Sequence, residues 1–211
     1  MSGGKSQATE SELMLGLLKA VHENDSLTQR VAAKQVGVAL GLVNTYLKRC
    51  IKKGFVKVVT APRSRYSYYL TPKGFAEKSR LTAEYLSVSF NLFRNTRAQY
   101  TEIFEFCRRQ NWRDVGFAGV GDLTEIALMC ANADDINLIA FIDQAIEGPR
   151  YQDIPVLENA SSFAGHAVII TDLADPQGTY DTIGKHVADE CILVPDMLNV
   201  SRNNKSEAVG K

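Results

Sequence analysis

The chain has 211 residues, of which 45% are hydrophobic and 23% charged, values that exclude a disordered tail protein and a disulfide mini-scaffold. No apolar run approaches the roughly 18 residues of a membrane-spanning helix. The zero net charge hides a split: residues 1–90 hold 14 Lys and Arg against 6 Asp and Glu, whereas residues 91–211 hold 10 against 18.

A basic half joined to an acidic half points to a polyanion-binding module carrying a second function. The start, Met1-Ser2-Gly3-Gly4-Lys5-Ser6-Gln7, has no apolar core and does not read as a signal peptide. Cys50, Cys107, Cys130 and Cys191 form no C-x-x-C pair, which fits reduced thiols buried as small hydrophobes and a cytoplasmic location.

In the basic half, Thr9-Glu10-Ser11-Glu12 offers a capping box. Leu13, Leu15, Leu17, Leu18 and Val21 then mark an amphipathic helix ending near Asn24-Asp25. A second helix is expected from Thr28 to Val36, stopped by Gly37, and a third from about Ala39 to Lys53, closed at Gly54. Leu40, Val43, Leu47, Cys50 and Ile51 recur at helical spacing and are expected in the core. Gly41, Asn44, Thr45, Lys48, Arg49 and Lys52 remain for base edges and phosphates. The β-rich runs Phe55–Val59 and Tyr66–Leu70, joined by the basic Thr60-Ala61-Pro62-Arg63-Ser64-Arg65, make a hairpin. Helix, helix, turn, helix and basic hairpin is the order of a winged helix-turn-helix. Its third helix fits the major groove of double-stranded DNA, and Arg63 and Arg65 meet the backbone or minor groove.

Several stretches here resemble MarR-type winged-helix regulators associated with exopolysaccharide gene clusters. They are Ser26–Ala32, Gly37–Asn44, Ile51–Lys57 and Tyr69–Gly74, with Glu77-Lys78 and Leu81-Thr82 after them. The resemblance covers roughly residues 10–90 and implies a transcriptional regulator of polysaccharide-related genes. It departs at Ala39, where that pattern favours Ser, and at Leu42, where it favours Lys, so no operator sequence is carried over.

Lys73 to about Gln110 contains no proline and one glycine, Gly74, and suits two long helices. Leu81, Tyr85, Val88, Leu92, Phe93, Tyr100, Ile103, Phe104 and Phe106 give them apolar faces. Either subunit pairing in a homodimer or packing against the flanking domains would use those faces.

From Asp114 the pattern becomes short apolar runs alternating with helices. Strands are expected at Val115–Ala118, Asn137–Ile142, Ala167–Thr171 and Cys191–Val194, with helices from Asp122 to about Ala131 and from Thr179 to Asp189. That alternation implies a small Rossmann-like parallel sheet with right-handed crossovers, and an α/β protein overall. The expected domains are a winged helix at 10–73, a helical linker at 74–111, a Rossmann-like ligand domain at 112–197 and a flexible tail at 198–211. Gly119-x-Gly121 sits where a strand turns into a helix, the place of a phosphate loop. Asp143 ends the next strand, where a ribose-binding acid belongs. Thr124 replaces the third glycine of G-x-G-x-x-G, and Asp122 and Glu125 put negative charge at the helix start. A structural loop is the alternative reading. Candidate ligand-binding residues are Gly119, Gly121, Asp122, Leu123, Asp143, Thr171 and Asp172.

Val115–Gly121, Phe141-Ile142-Asp143 and Asp153–Leu157 also resemble small Rossmann domains of sugar-nucleotide metabolism. That resemblance implies a nucleotide-type ligand, with Ile154-Pro155-Val156 preceding a helix that points back at the cleft. A nucleotide-sugar is preferred over NAD(H). The sugar acyltransferases of that group add a hexapeptide repeat, which is not found in these 211 residues, so acyl transfer is not expected.

No His pair has metal-ligand spacing and no Ser sits in a nucleophile elbow; His22, His166 and His186 are scattered, and Tyr180 and Lys185 are five apart. No catalytic or metal residues are therefore assigned. The reading is a DNA-binding regulator with a small-molecule sensor and no membrane partner. An NAD(H)-responsive redox repressor and a sugar-nucleotide enzyme with an accessory DNA domain are the alternatives.

Overall fold

The computed structural model describes residues 10–24, 27–61, 65–133 and 136–202, without the side chains of residues 61, 65, 132 and 133. The chain divides into two compact units, Met1–Phe90 and Asn91–Lys211, each with an apolar core of its own.

The first unit begins with helices α1 (Glu10–Glu23), α2 (Gln29–Val36) and α3 (Leu40–Lys52). Thr9, offered as the cap of α1, lies outside the described residues. At α2 the Thr28 side chain accepts from the Val31 N–H, and Gly37 ends the helix at φ 72°, the left-handed geometry a helix stop favours. Antiparallel strands β1 (Val56–Ala61) and β2 (Arg65–Leu70) pair Val56 with Leu70 and Val58 with Tyr68. Leu17, Leu18, Leu27, Ala32, Val43, Leu47, Cys50, Val56 and Tyr68 form one buried cluster. Leu40 and Ile51, expected in that core, are instead 46% and 37% exposed. Leu40 opens its helix, and Ile51 lies one position off the Val43, Leu47, Cys50 stripe.

One helix, α4 (Pro72–Arg109), replaces the two expected between the hairpin and the sheet. Nothing in its 38 residues breaks it, because the only glycine comes in the first turn. Thr71 starts it: its hydroxyl accepts from the Gly74 N–H at 3.0 Å and donates to the Gly54 carbonyl at 2.6 Å, with Pro72 in the first helical position. A Cβ on Gly74 would stand 2.0 Å from the Phe55 carbonyl oxygen, so only glycine lets helix and hairpin meet this closely. Leu81 joins the first core, and Tyr100, Phe104 and Cys107 join the second.

The second unit continues with β3 (Asp114–Ala118), α5 (Asp122–Ala133), β4 (Asn137–Ile142), β5 (Arg150–Tyr151), β6 (Ile154–Leu157), β7 (Ala167–Ile170), α6 (Pro176–Ile183) and β8 (Ile192–Leu193). The sheet runs β5-β6-β4-β3-β7-β8, all parallel except β5, which pairs antiparallel with β6. Counted from β3, the parallel strands stand in the order 3-2-1-4-5 of a doubly wound sheet, with the chain reversing direction across the sheet between β3 and β7. The four expected strands are present. The sheet is mixed rather than purely parallel, and β6 forms where Ile154-Pro155-Val156 was expected only to precede a helix. Pro155 is tolerated because the bond to the β5 side is made by the next residue, the Val156 N–H donating to the Pro149 carbonyl at 2.9 Å, while pairing of β6 with β4 starts only at Val156. Val115, Phe117, Phe141, Val168, Ile169, Ile170 and Ile192 are fully buried, and the Tyr100 hydroxyl donates to the Ile170 carbonyl at 3.0 Å.

Of the tail expected at 198–211, Leu198 is buried and the Ser201 N–H donates to Gln177 at 2.8 Å; residues 203–211 lie outside the described residues. Cys50, Cys107 and Cys130 are buried and Cys191 half-buried, all as free thiols. Burial pushes the Cys50 and Cys107 thiols up to about 11, which keeps them protonated and unreactive at neutral pH. No helix among the described residues is long and apolar enough to cross a membrane.

Candidate functional site

Two sites emerge, one in each unit. In the first, α3 buries Val43, Leu47 and Cys50, at spacings of four and three residues, so one helical face is committed to the core. The other face presents Gly41, Thr45, Lys48 and Lys52 to solvent, with Asn44 half-buried beside them. A Cβ on Gly41 would meet nothing within 4 Å, so this turn leaves room for a close neighbour. The Thr45 hydroxyl donates to the Gly41 carbonyl at 2.9 Å, which leaves its lone pairs as acceptors.

Arg49 is less available than its sequence position implied, because its guanidinium stands 2.6 Å from the Glu10 carboxylate. Arg63 lies outside the described residues, and Arg65 opens β2 with its side chain undescribed. Three residues that the sequence did not single out also sit on the hairpin: Lys57 and Tyr69 face each other across the strands, both exposed, and Tyr66 is exposed near the tip. Strand alternation marked Lys57 and Tyr69, since Val56, Val58 and Tyr68 occupy the inward face; Tyr66 shares the face of Tyr68 and is exposed nonetheless.

In the second unit a cavity of about 380 Å³ opens at the C-terminal ends of the parallel strands, where doubly wound sheets bind their ligands. Gly119, Asp143 and Asp172, three of the candidate ligand-binding residues, line it. Gly119 has φ +91°, and a Cβ there would lie 2.5 Å from the Asp172 Cβ. The β3–α5 loop and the end of β7 therefore touch backbone to backbone, which only glycine permits.

Gly121, Asp122, Leu123 and Thr171 are not in the lining. Leu123 is a core residue. Thr171 is buried, and its backbone N–H donates to the Ala118 carbonyl at 2.8 Å. Gly121 and Asp122 are exposed at the start of α5. Glu158, Asn159, Asp175 and Thr179 complete the wall instead. Asp175-Pro176 was a readable helix start at the right strand end, since Asp175 accepts from the Gly178 N–H at 3.0 Å. Glu158 follows β6, a strand that Pro155 disguised.

The loop itself differs from a phosphate cradle. The Gly119 N–H donates to the Ile142 carbonyl at 3.1 Å, the Val120 N–H to the Asp143 carboxylate at 2.8 Å, and the Gly121 N–H to the Thr124 hydroxyl at 3.0 Å. Thr124 in turn donates to the Gly119 carbonyl at 2.9 Å. Where a third glycine would let the helix pack closely on its strand, threonine closes the loop on itself. Asp143 also accepts from the Ala145 N–H at 2.8 Å, and Asp172 from the Ala174 N–H at 2.8 Å and the Thr179 hydroxyl at 2.7 Å. The lining thus carries four carboxylates, Asp143, Glu158, Asp172 and Asp175, and no Lys or Arg. Such a wall accepts hydrogen bonds from hydroxyl or ammonium groups and repels anions.

Residues 10–57 match the winged helix-turn-helix DNA-binding family, so this part of the chain carries a DNA-binding fold. Among solved structures, Sso10a-2, a DNA-binding protein from Sulfolobus solfataricus, is 21% identical with a TM-score of 0.36, over 41% of this chain and 87% of that one. MepR, a transcription regulator of the Staphylococcus aureus multidrug efflux pump MepA, is 23% identical with a TM-score of 0.34, over 41% of this chain and 64% of its own. A MarR family protein of Mycobacterium tuberculosis, in complex with p-aminosalicylic acid, is 21% identical with a TM-score of 0.36, over 49% and 79%. No curated protein sequence matches the chain.

Proposed function

We propose that the chain is a DNA-binding transcriptional regulator whose second unit senses a small molecule. The observation that carries this reading is the solvent face of α3: Thr45, Lys48 and Lys52 project from a helix whose opposite face is locked in a winged-helix core. In this reading residues 10–73 form the DNA-binding domain. Lys48 and Lys52 contact phosphates, Asn44 and Thr45 read base edges, and Lys57, Arg63, Arg65 and Tyr69 of the wing meet the adjacent backbone.

Residues 112–197 form the sensor, with its ligand in the pocket beside Gly119, and residues 74–111 link the two. The polysaccharide-related genes implied by the sequence resemblance are its expected targets. The pocket refines the ligand class. Asp143, Glu158, Asp172 and Asp175 suit the hydroxyls of a sugar or ribose, whereas a phosphate would meet occupied loop amides and like charge. A hydroxyl-rich molecule, including the sugar end of a nucleotide-sugar, therefore fits better than NAD(H). Three of the four carboxylates that line the pocket, Asp143, Asp172 and Asp175, accept from backbone N–H groups, which favours sensing over acid–base chemistry.

Selection from randomised duplexes with the full chain tests the DNA half, and enrichment of one sequence family is expected. Recovery of unselected sequence would contradict a sequence-specific regulator. Calorimetry with UDP-sugars, free sugars and NAD(H) tests the pocket. Glu158→Gln should weaken binding of a hydroxyl-rich ligand; equal binding by the variant would place the ligand elsewhere.

A further inference from the structure

We propose that the second unit carries another ligand site, a groove of about 460 Å³ that takes a small amphipathic cation, an apolar body ending in an ammonium group. The groove lies between the second half of α4 and the segment that follows β8, and it shares no lining residue with the pocket beside Gly119. Gln99, Glu102, Ile103 and Phe106 form one wall. Their spacings of three and four residues place them on one stripe of the helix. Residues 193–196 form the facing wall. The Met197 N–H donates to the Gln99 Oε1 at 2.9 Å, which ties that segment to α4. Phe106 packs edge-on against Trp112, with ring centroids 5.7 Å apart. Both walls are therefore held in place without a ligand, as in a preformed site.

The floor selects an apolar body. Ile103, Phe106, Leu193, Val194 and Pro195 supply it. Leu193 and Pro195 are buried, whereas Ile103, Phe106 and Val194 remain half-buried after the core of the second unit is complete. Displacing water from such a floor is favourable in proportion to the apolar area covered. A sugar would instead set hydroxyls against side chains that offer them no acceptor.

The rim selects a cation. Glu102, Glu190 and Asp196 line the groove from three different elements, all exposed, and none has an ion-pair partner among the described residues. The one cation of the lining, Arg202, is already engaged. Its guanidinium donates to the Ile192 carbonyl at 3.3 Å and stands 3.8 Å from the Asp189 carboxylate. Asp189 is outside the lining, so its charge answers that of Arg202 and leaves three carboxylates for the occupant. An ammonium head gains from all three, a neutral hydroxyl gains hydrogen bonds alone, and a carboxylate head is repelled.

The test titrates the full chain with phenethylamine, which is protonated at neutral pH. Phenethyl alcohol and phenylacetate keep the aromatic body and make the head neutral or anionic. Calorimetry should show saturable binding of the amine, roughly ten-fold tighter than the alcohol at low salt, and no binding of phenylacetate. Added salt should weaken the amine and leave the alcohol unchanged. The E102Q/D196N variant removes two rim charges from exposed side chains and keeps their size, so unchanged circular dichroism is expected. It should bring the amine close to the affinity of the alcohol, whose own binding should not move. Sugar binding beside Gly119 uses other residues, so either site can fail alone. Equal affinities for amine and alcohol, tighter binding of phenylacetate, or wild-type amine affinity in E102Q/D196N would each overturn the proposal. So would the absence of saturable amine binding, the result expected if a second copy of the chain covers the groove.

Discussion

Replacing Gly119 by alanine isolates the contact on which the pocket is built. The backbone φ of +91° is one that alanine adopts only with strain, at a cost of about 1–3 kcal/mol. The added methyl would also lie 2.7 Å from the Asp172 Cα and 2.8 Å from its backbone nitrogen. Neither is the end of a flexible side chain, so the end of β7 must shift, and overpacking of this kind costs about 1–3 kcal/mol more. The second unit should therefore lose about 2–6 kcal/mol, enough to unfold a marginal domain. Gly121→Ala is the matched control. Its methyl would meet nothing within 4 Å, and a change of less than about 1 kcal/mol is expected. The chain has a single tryptophan, Trp112, packed against Phe106 at 5.7 Å between ring centroids. Its fluorescence in urea reports unfolding of the second unit directly. If the G119A and G121A curves coincide, the close approach of the loop to β7 is wrong, and with it the shape of the pocket.

Three further outcomes follow from the same geometry. Glu10→Gln should free Arg49 from its exposed ion pair and raise affinity for any duplex by a few-fold at low salt, measured by fluorescence anisotropy; an unchanged or lower affinity would keep Arg49 out of the interface. Thr124→Val removes the acceptor of the Gly121 N–H and the donor to Gly119, and should cost about 1–3 kcal/mol in the same Trp112 assay. A variant as stable as wild type would mean that Thr124 does not close the loop. Thiol labelling at neutral pH should modify Cys191 before the three buried cysteines, with Cys50 and Cys107 protected until urea unfolds the chain; early modification of Cys50 would contradict the packing of α3.

Much of this was legible in the sequence because it rests on local rules. Thr28 and Gly37 at the two ends of α2, and the alternating hairpin, announced their elements residue by residue. Cap and period do not say how far a helix runs when nothing stops it, so α4 read as two helices. Strand β6 was hidden by Pro155, whose missing donor is harmless because Val156 makes the bond to the β5 side and pairing with β4 starts only after the proline, a fact of pairing rather than of local sequence. The pocket was half visible: Gly119, Asp143 and Asp172 follow from their positions at strand ends. Glu158 and Thr179 come from elements distant in sequence and meet them only in the fold. The G-x-G pattern also showed where a loop turns without showing where its N–H groups go, and the proposed ligand class rests on the three hydrogen bonds those groups make.

The solvent face of α3 is where DNA binding is decided in this proposal, and a salt titration of DNA affinity tests it most directly. For wild type, log Kobs should fall linearly with log salt concentration. For the K48A/K52A double variant the slope should be shallower by about 1.8, at roughly 0.9 for each phosphate no longer neutralised. Both substitutions fall on exposed side chains, so the fold should survive them. Equal slopes for the two proteins, with equal affinities at every salt concentration, would contradict the claim that α3 meets the DNA.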